Sequence, residues 1–554
     1  MTNQQNHVEG NQGKLFGVFC DSYFIKKWQY QSLEHILVSS KFRIGLIVIN
    51  ESEAKSHFKF KNVAFFMFKK IFTRLLLMET VDIRNLLDDI PVISAKTFRK
   101  GNFSEYFHPE DIAEIKSFKL EFALRFGFGI IRGEILDIAK YGIWSFHHGD
   151  DVKYRGGPYC FWELYENEPT TNSVLQKLTD KLDGGVVLKK GYFKTIKHSF
   201  SKNIEQAIEM TIRWPLLVCL ELENKTFNLP QNEDKALEGI RRLPSNAVMV
   251  KFVFRLIGNK IAHFYTKYLT FDFWHIGIID KNLKDVLNSE IVNTDIRWLE
   301  QKSPLWFLAD PFLFKSEEET ILITEKLEYK KFIGEIKAFK GNGFNQEINN
   351  FDILEDYHLS YPNTFIIEGV TYCLPEGYDA GGLYLYEKQD SGWYKHLLIP
   401  GIKCIDPEII YVNGIFYLFT TIKGDNHETK LFIYHSLSIL GDWEPHCLNP
   451  VIHDVRVARG AGKIFKDGDD LYRPGQNYSI SKEGSIMISK IVKLSPLEYQ
   501  EEIAYEILPI VDSPYPSKIH TINSLQNMTV VDACIVKSLL LRPDIFARIV
   551  LSKL

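Results

Sequence analysis

The stretch G-I-W-S-F-H-H-G-D-D-V-K-Y-R-G-G-P, at residues 142–158, decides the fold predicted for the first third of this chain. Its apolar beginning predicts a β-strand that ends at His147, and Arg155 and Gly156 follow a short loop later. A histidine in that position lies where open α/β sheets bind ligands, beyond the carboxyl end of a strand. We therefore predict that His147 acts as a general base and that Asp183 orients it.

Apolar runs on either side of a helical pattern predict a parallel sheet before this stretch. Residues 15–20 and 43–50 are short apolar runs, and a pattern of helical spacing through Leu33 and Ile36 separates them. Strand, helix and strand at this spacing are typical of a βαβ unit. We predict a Rossmann-like α/β domain with a parallel sheet over residues 14–199.

These features resemble the catalytic domain of the folate-dependent formyltransferases. The pattern of that family is Asn-x-His-x-Ser-x-Leu-Pro-x-x-Arg-Gly, followed later by Asp-x-Gly. His147 falls on the histidine of the pattern, Arg155 and Gly156 fall on its Arg-Gly pair, and Asp183 falls on its late aspartate. The resemblance covers roughly residues 14–195 and implies formyl transfer to an amine, with His147 as base and Asp183 as its partner.

Several positions depart from the family pattern. Ser145 stands where the family has its catalytic asparagine, and Asp151 and Val152 replace Leu-Pro. If the Ser145 hydroxyl does not reach the formyl carbonyl, the loss of that donor costs roughly 2.7–4 kcal/mol of transition-state stabilisation. Asp150 and Asp151 make the binding segment acidic. The one-carbon donor is therefore either 10-formyltetrahydrofolate bound in a different way or another molecule. Arg155 and Gly156 are candidate binding residues, and Arg155 is equally well interpreted as a clamp on its loop.

The run H-H-G-D-D at 147–151 also contains residue types that bind metals. Adjacent residues of a strand point to opposite faces, so His147 and His148 do not easily share one ion. We predict no metal site in the chain.

Composition places limits on compartment and partners. A chain of 554 residues is expected to form two or three domains. The net charge of −4 argues against a broad nucleic-acid surface, and seven scattered cysteines without a C-x-x-C pair favour reduced thiols. Residues 1–13 are polar, without an apolar core of a signal peptide, and are predicted to be a disordered tail. We expect a cytoplasmic protein that does not bind nucleic acid.

Two apolar stretches, residues 63–78 and 247–257, are each interrupted by lysine or arginine. Neither is predicted to span a bilayer. They are interpreted as core helices or, alternatively, as helices that lie at a membrane interface. Peripheral membrane contact is therefore compatible with the sequence, and a spanning segment is not expected.

The second half of the chain is rich in short apolar runs of β type. Similar segments recur at about 45–53 residues, a period that suits four-stranded propeller blades. A fifth segment, 518–536, would be completed by a strand at 273–279. We predict a helical connector at 200–268 and an all-β five-bladed propeller at 269–545. The recurring segments are A-D-P-F-L-F at 309–314, Y-P-N-T-F-I-I at 361–367, I-D-P-E-I-I-Y at 405–411 and G-A-G-K-I-F at 460–465.

The Asp-Pro pairs and the period resemble the five-bladed propellers of glycoside hydrolases and related glycan transferases. The phrase W-F-L-A-D-P-F-L-F at 306–314 resembles the propeller of plant glucosamine inositolphosphorylceramide transferases. This resemblance implies a central site in which carboxylates act as acid and base, although Asp-Pro pairs also make simple turns. The candidate carboxylates are Asp310, Glu376 and Asp406, and the candidates to bind phosphate or a glycan carboxylate are Arg459, Arg473 and His520.

Three functions remain open from the sequence. The first is a cytoplasmic formyl or related one-carbon transferase that modifies a nucleotide-linked or lipid-linked amino sugar. The second is a glycosyltransferase or glycosidase of surface-polysaccharide assembly that acts through the propeller, with a repurposed N-terminal domain. The third is a protein that binds glycan precursors without catalysis.

Overall fold

The computed structural model describes residues 13–52, 60–73, 75–86, 89–100, 104–180, 184–230, 239–289, 291–301, 303, 305–316, 319–479 and 484–541. The chain forms two units. The first comprises residues 1–191 and 199–256, and the second comprises residues 192–198 and 257–554.

The first unit alternates strands and helices, and its helix α7, Asn246–Tyr268, contains the boundary to the second unit. Its other elements are β1 Lys14–Cys20, β2 Phe24–Lys26, α1 Lys27–Ser39, β3 Phe42–Asn50, α2 Val63–Phe72, β4 Thr80–Asp82, β5 Val92–Ala95, β6 Phe98–Lys100, β7 Ser104–Tyr106, α3 Pro109–Ser117, β8 Phe122–Arg125, β9 Ile130–Ile131, β10 Ile143–His147, α4 Phe161–Glu166, β11 Thr170–Lys177, β12 Val186–Lys194, α5 Phe200–Glu209 and α6 Trp214–Asn224.

A mostly parallel sheet forms the centre of the first unit. Its described strands run in the order β12-β11-β10-β8-β1-β3-β5. Neighbouring strands from β10 to β5 are parallel, and β11 is antiparallel to β10. The aromatic rings of Phe16, Phe122 and Trp144 stack across three of these strands, with centroids 5.0 and 3.9 Å apart. The prediction of a parallel sheet in this part of the chain is confirmed.

The order of the strands also places the predicted site. The chain passes from β1 outward to β3 and β5, and then returns to β8 and β10 on the other side of β1. The carboxyl ends of β1 and β8 therefore lie at a topological switch point, which is where open sheets bind ligands. His147 ends β10, one strand away from that point.

In its described residues the second unit consists mainly of antiparallel strands, together with the end of α7 and a short helix, α8 Leu283–Leu287. Its strands are β13 Thr270–Ile279, β14 Ile296–Trp298, β15 Trp306–Lys315, β16 Thr320–Glu328, β17 Gly334–Lys340, β18 Gln346–Glu347, β19 Ser360–Ile367, β20 Val370–Glu376, β21 Gly382–Gln389, β22 Gly392–Pro400, β23 Cys404–Val412, β24 Ile415–Ile422, β25 Lys430–Ser436, β26 Glu444–Pro445, β27 Ile452–His453, β28 Arg459–Gly460, β29 Phe465–Asp467, β30 Asp470–Asn477, β31 Ser485–Leu494, β32 Tyr499–Ile507, β33 Lys518–Leu525 and β34 Met528–Ser538.

The described strands of this unit form successive sheets with main paths of four strands. The paths are β15-β16-β17-β18, β19-β20-β21-β22, β23-β24-β25-β26, β28-β30-β31-β32 and β14-β13-β34-β33. In the last sheet the two ends of the unit meet, because β13 pairs with β34 from Thr270↔Ser538 to Ile279↔Thr529. The predicted pairing of a strand near 273–279 with the last segment is therefore present. The first strands of neighbouring sheets pack together, β15 against β33 and β19, β19 against β23, and β23 against β28.

Apolar residues fill the space between successive sheets. Ile323 and Ile336 of one sheet, for example, pack in one cluster with Cys373 and Tyr386 of the next. Alternation along each strand puts every second side chain into such a layer.

The two units differ from the boundaries that we predicted. Helices α5 and α6 belong to the first unit, where α6 packs against α1 and α5 against β11, so residues 200–256 are not a separate connector. The predicted tail, except for Gly13, lies outside the described residues. Among the helices that the structure describes, none is long and apolar enough to cross a membrane.

Candidate functional site

The Asp-Pro pairs of the second unit form bulges in the first strands of their sheets. The strand registers shift between Ala309 and Phe312 in β15 and between Ile405 and Glu408 in β23. Proline cannot donate a hydrogen bond to a neighbouring strand and is therefore found at bulges. The residue before each proline has a left-handed backbone here, a conformation that aspartate tolerates. Residues at the equivalent bulge positions have positive φ angles, 48° at Asp310, 49° at Tyr361 and 46° at Asp406.

Carboxylates from neighbouring strands accept hydrogen bonds from the bulge amides. The N–H of Asp310 donates to Asp532 Oδ2 at 3.0 Å, and the N–H of Tyr361 donates to Asp310 Oδ2 at 3.1 Å. The N–H of Asp406 donates to Glu376 Oε2 at 3.0 Å. The bulge amides thus hold three buried carboxyl groups in fixed positions, those of Asp532, Asp310 and Glu376.

His520 bridges two of these carboxylates. Its Nδ1 lies 2.6 Å from Asp532 Oδ1, and its Nε2 lies 3.5 Å from Asp310 Oδ1. The ring also stacks on Trp274, with centroids 3.9 Å apart and planes at 17°. Burial acts to lower the pKa of His520, but Asp532 and Asp310 outweigh it and raise that pKa.

The buried acids of this centre bind protons more tightly than ordinary carboxylates. Burial, together with the charges of Asp532 and Asp406, raises the pKa of Asp310 to about 6 in spite of the favourable charge of His520. Burial and neighbouring acids also raise the pKa of Glu325 and of Glu376 well above the usual range. At this centre protons are therefore available near neutral pH.

Asp406 has a different environment from Asp310. The guanidinium Nε of Arg459 donates to Asp406 Oδ2, and Gln476 Nε2 donates to the same oxygen at 3.1 Å. Arg459 also donates from Nη1 to Tyr478 Oη at 2.9 Å. A charged guanidinium stabilises negative charge on the carboxylate, so the two aspartates of equivalent position differ in charge environment.

Arg473, the other arginine predicted to bind a ligand, has a structural role. Its Nε donates to Glu501 Oε2 at 2.8 Å and its Nη2 donates to Glu501 Oε1 at 2.6 Å, in a bidentate pair that is almost fully buried. Its Nη2 also donates to the carbonyl of Val457 at 2.7 Å. The guanidinium is thereby committed to partners within the protein, and the sequence had no means of pairing it with Glu501.

One group of described residues has a suitable geometry for a cation. Ligand atoms of Asp310, His520 and Asp532 all lie within 4.8 Å of one another. The same atoms already form a connected network of hydrogen bonds with His520 Nδ1 and with the hydroxyl of Thr521, which donates to Asp310 Oδ1 at 2.9 Å. Contacts within the protein thus already engage these three side chains. The absence of a metal site remains a prediction.

In the first unit, β10 places Ser145 and His147 on one face, since side chains two residues apart on a strand point the same way. The guanidinium of Arg125, at the end of β8, donates to Ser145 Oγ at 2.8 and 3.2 Å. His147 Nε2 is buried and has no hydrogen-bond partner among the described residues. Strand geometry thus leaves one basic nitrogen available at the predicted site.

The other predicted binding residues of the first unit have partners of their own. Asp150 accepts hydrogen bonds from the amide of Lys153 at 2.7 Å and from the side chain of Asn172, and these contacts lower its pKa although burial opposes them. Asp151 Oδ1 accepts from Lys190 Nζ at 2.6 Å. These contacts explain how an acidic segment is accommodated where the family pattern has Leu-Pro.

The Arg155-Gly156 pair forms a backbone contact with a later segment. The N–H of Arg241 donates to the carbonyl of Arg155 at 2.7 Å. Gly156 has a φ of 90°, and a Cβ there would lie 2.5 Å from the carbonyl oxygen of Arg241. The glycine is thus required for the close approach of these two segments of the chain, which favours the interpretation of the Arg155-Gly156 pair as a clamp. Asp183 lies outside the described residues.

Sequence reasoning missed three members of the carboxylate centre, Glu325, Tyr361 and Asp532. A signal existed for two of them. Tyr361 precedes a proline as Asp310 and Asp406 do, and I-T-E before 326 parallels L-P-E before 377. No repeated sequence pattern marks Asp532. It lies on β34, opposite the bulge in β33, and β34 also pairs with β13 at the beginning of the unit.

Comparisons with known proteins find relatives of two kinds. Residues 288–511 match the family model described as glucosamine inositolphosphorylceramide transferase 1, N-terminal. Glucosamine inositolphosphorylceramide transferase 1 of Arabidopsis thaliana is 33% identical over 207 residues, which cover 36% of this chain and 27% of that protein. Methionyl-tRNA formyltransferase of Clostridium perfringens is 34% identical over 83 residues, 15% of this chain and 27% of that protein.

Among solved structures, Zg3597, a family 117 glycoside hydrolase of Zobellia galactanivorans, matches with a TM-score of 0.31 and 10% identity, over 47% of this chain and 90% of that one. The chain spans less than a third of the length of the plant transferases it matches. The plant relatives and the bacterial formyltransferase are both named transferases.

Proposed function

We propose that the protein is a glycan-related transferase whose second unit binds a sugar at the centre formed by Asp310, Asp406, Glu376 and His520. One observation carries this proposal. Asp310 and Asp406 occupy equivalent bulges, yet Asp310 is surrounded by acids and Asp406 is paired with Arg459. Both aspartates lie within the segment that matches the plant family model.

In this proposal the sheets of the second unit close as a five-bladed propeller. Two features support closure: β13 and β34 join the two ends of the unit in one sheet, and the first strands of neighbouring sheets pack against one another. A propeller gathers its first strands around a central funnel. The bulges then direct Asp310 and Asp406 toward one ligand.

The different environments of the two aspartates suit glycosyl chemistry. Transfer or hydrolysis of a glycosyl group uses one carboxyl group that gives a proton and a second that is ionised. Asp310, with its pKa raised to about 6, fits the proton donor, and Asp406, held by Arg459, fits the carboxylate. His520 would return a proton to Asp310, from which its Nε2 is 3.5 Å away.

The names of the plant relatives suggest the class of ligand. They combine glucosamine with an inositol phosphate that is linked to a lipid. We propose that this chain acts on a nucleotide-linked or lipid-linked amino sugar. The relatives match through a segment described as N-terminal, so that segment in this chain is proposed to recognise the sugar and, with Asp310 and Asp406, to act on it.

Calorimetric titration with nucleotide-linked glucosamine and N-acetylglucosamine tests this proposal. The wild type should bind one of them, and Asp310→Asn and Asp406→Asn should each bind at least about tenfold more weakly, because each loses a hydrogen bond to a charged group. Asp470→Asn is the matched control, since Asp470 pairs with Lys490 at a well-exposed site in the same unit. Equal affinity in all four proteins would refute the site.

Turnover distinguishes an enzyme from a binding protein. If donor is consumed by the wild type and not by Asp310→Asn, the centre is catalytic. If ligands bind at this centre and no donor, acceptor or glycan is changed, the non-catalytic function applies and the proposed transferase activity is wrong.

A second candidate is formyl transfer in the first unit. It is favoured by His147, the last residue of β10, whose buried Nε2 has no hydrogen-bond partner among the described residues. An imidazole can take the proton that the acceptor amine loses as its nitrogen bonds to the formyl carbon, and can return it to the donor nitrogen as the bond between that nitrogen and the carbon breaks. Ser145 keeps its hydroxyl proton to donate, because Arg125 supplies the hydrogen bonds that its oxygen accepts.

The donor proposed for this reaction is 10-formyltetrahydrofolate, which supplies a formyl group at the required oxidation level. The fit is partial, since Asp150 and Asp151 are engaged by Asn172 and Lys190, and His147 is the group left to serve the reaction. Titration with a stable reduced-folate analogue tests it, with His147→Gln as the variant and His148→Phe as the matched control. Absence of binding at millimolar analogue would remove folate chemistry from the first unit and leave the sugar site untouched.

A further inference from the structure

The part of helix α7 that belongs to the first unit exposes apolar side chains in a stripe. Met249 and Phe252 are buried, whereas Val250, Val253 and Phe254 are exposed, Phe254 by 72%. Residues three and four apart lie on the same side of a helix. The exposed apolar residues therefore form a solvent-facing stripe next to the buried one, which is unusual for a helix of a soluble domain.

Helix α2 repeats this arrangement. Phe65 and Phe68 are buried, whereas Met67, Ile71 and Phe72 are exposed, Ile71 by 64%. Apolar side chains thus lie on both sides of α2, but only the side with Phe65 and Phe68 is buried in the first unit. The side chains of the outer side remain largely exposed to solvent.

The two helices are neighbours within the first unit. The rings of Phe68 and Phe252 lie 5.5 Å apart, edge to face. The side chain of Asn246, the first residue of α7, accepts from the amide of Ala64 at 3.0 Å and donates to the carbonyl of Phe60 at 3.3 Å. We call the exposed apolar residues of this pair of helices the α2–α7 surface: Met67, Ile71, Phe72, Val250, Val253 and Phe254.

Every charged residue on these helices within the first unit is a cation. Lys69 and Lys70 lie on α2, and Lys251 and Arg255 lie on α7, all of them exposed. Neither α2 nor residues 246–256 contain an aspartate or a glutamate. An apolar stripe flanked by lysine and arginine has the composition of a helix that lies in a membrane interface.

We propose that the α2–α7 surface binds the protein peripherally to an anionic lipid bilayer. The apolar side chains would enter the boundary between headgroups and acyl chains, while the four cations contact lipid phosphates. A second copy of this chain fits less well, because a two-fold interface through this surface would place cations against cations with no acid from either helix between them. This inference does not depend on the chemistry of either proposed site.

Charge and apolar burial make separable contributions to such binding. Each lysine or arginine near an anionic surface strengthens binding about fivefold, so Lys69→Gln with Lys70→Gln should weaken it by about 25-fold. Ile71→Ser with Phe254→Ser should weaken it by about tenfold or more, because two large apolar groups no longer leave water. Leu437→Ser, at an 82% exposed leucine of the second unit, is the control that should change nothing.

Co-sedimentation of the full chain with vesicles tests the proposal. One set of vesicles is phosphatidylcholine alone, and the other contains about 30 mol% phosphatidylserine, an anionic lipid. The wild type and Leu437→Ser should sediment with the anionic vesicles only, and less so as salt is raised. Both double variants should remain in the supernatant, and far-ultraviolet circular dichroism should show that each is folded like the wild type.

Three results would overturn the assignment. One is that the wild type fails to bind anionic vesicles. Another is that it binds equally well after both double substitutions. The third is that sedimentation velocity shows a dimer that Ile71→Ser with Phe254→Ser converts to monomer while lipid has no effect, which would make the surface an interface between copies of the chain.

Discussion

Asp310 and Asp406 have the same backbone conformation in two separate sheets, with φ angles of 48° and 46°, and each precedes a proline in a bulge of the first strand. Their side chains have different partners: Asp310 lies among acids beside His520, and Asp406 binds Arg459. A repeated backbone thus places two carboxyl groups in different charge environments.

The second unit should lose stability as pH rises. The folded-state pKa of Asp310 is raised from 3.8 to about 6, so its contribution is fully present below about pH 4 and is lost as pH rises through 6. This loss lowers the free energy of unfolding by roughly 3 kcal/mol. His520, whose folded pKa is also raised, adds a loss in the same direction above its usual value. Urea unfolding of the wild type between pH 4 and pH 8 should show this decline.

Asp310→Asn should flatten that decline, because asparagine does not titrate and tolerates the left-handed backbone. Asp470→Asn should leave the profile of the wild type unchanged, since Asp470 is well exposed. A decline of equal size in Asp310→Asn would show that Asp310 does not carry the effect.

The first unit should respond to pH in the opposite direction, through His148. Its ring is buried among Trp28 and Phe146, and burial lowers its pKa from 6.5 to about 3. A histidine with a lowered folded pKa contributes stability above 6.5, and that contribution is lost as pH falls toward 3, by up to about 5 kcal/mol. His148→Phe should therefore resist acid better than the wild type.

Amide hydrogen exchange followed on peptides separates this effect from that of the second unit. Peptides of β10 and α1 should lose protection between pH 6 and pH 4 in the wild type and keep it in His148→Phe. Identical profiles in the two proteins would mean that His148 does not control acid stability.

Arg473 and Glu501 form a buried ion pair, and removal of either residue alone should destabilise the protein. Arg473→Met should lower the free energy of unfolding by about 3–5 kcal/mol, because it leaves the Glu501 carboxylate buried without its cation. Arg473→Met combined with Glu501→Leu should recover most of that loss. Chemical denaturation of both variants and of Glu501→Leu completes a double-mutant cycle, and a purely additive result would count against a coupled pair.

Gly462 should not tolerate a side chain. Its φ is 133°, and a Cβ there would lie 1.9 Å from the carbonyl oxygen of Ile522. Gly462→Ala should therefore cost more than about 3 kcal/mol, since backbone must move as well as adopt a strained conformation. Gly468, with a φ of 62°, is the control: a Cβ there meets no described atom within 4 Å, and Gly468→Ala should cost about 1 kcal/mol. Thermal unfolding of both variants compares them.

Local pattern predicted much of the fold. The apolar runs at 15–20 and 43–50 became β1 and β3 of a parallel sheet, and Pro109 with the acids after it begins α3. The segments around Asp310 and Asp406 became the first strands of two sheets. These signals are local, because alternation, proline and first-turn acids act within a few residues.

The candidate sites could be predicted only in part. Asp310, Asp406, Glu376 and His520 meet in one centre as a repeat of strand starts implies, and Arg459 joins them through Asp406. Arg473 has the same residue type and spacing as a ligand-binding arginine but pairs with Glu501. The sequence alone does not indicate which carboxylate a buried guanidinium will bind.

The sequence by itself determined the alternation of strands and helices in the first unit and the succession of short strands in the second, because backbone sterics and side-chain alternation act over short distances. Only the tertiary structure decided that Asp532 completes the carboxylate centre, that α5 and α6 join the first unit, and that α2 and α7 leave an apolar, cationic surface uncovered. Those outcomes depend on which distant segments exclude water from one another. Burial, and with it each pKa and each unpartnered face, is a property of the packed chain.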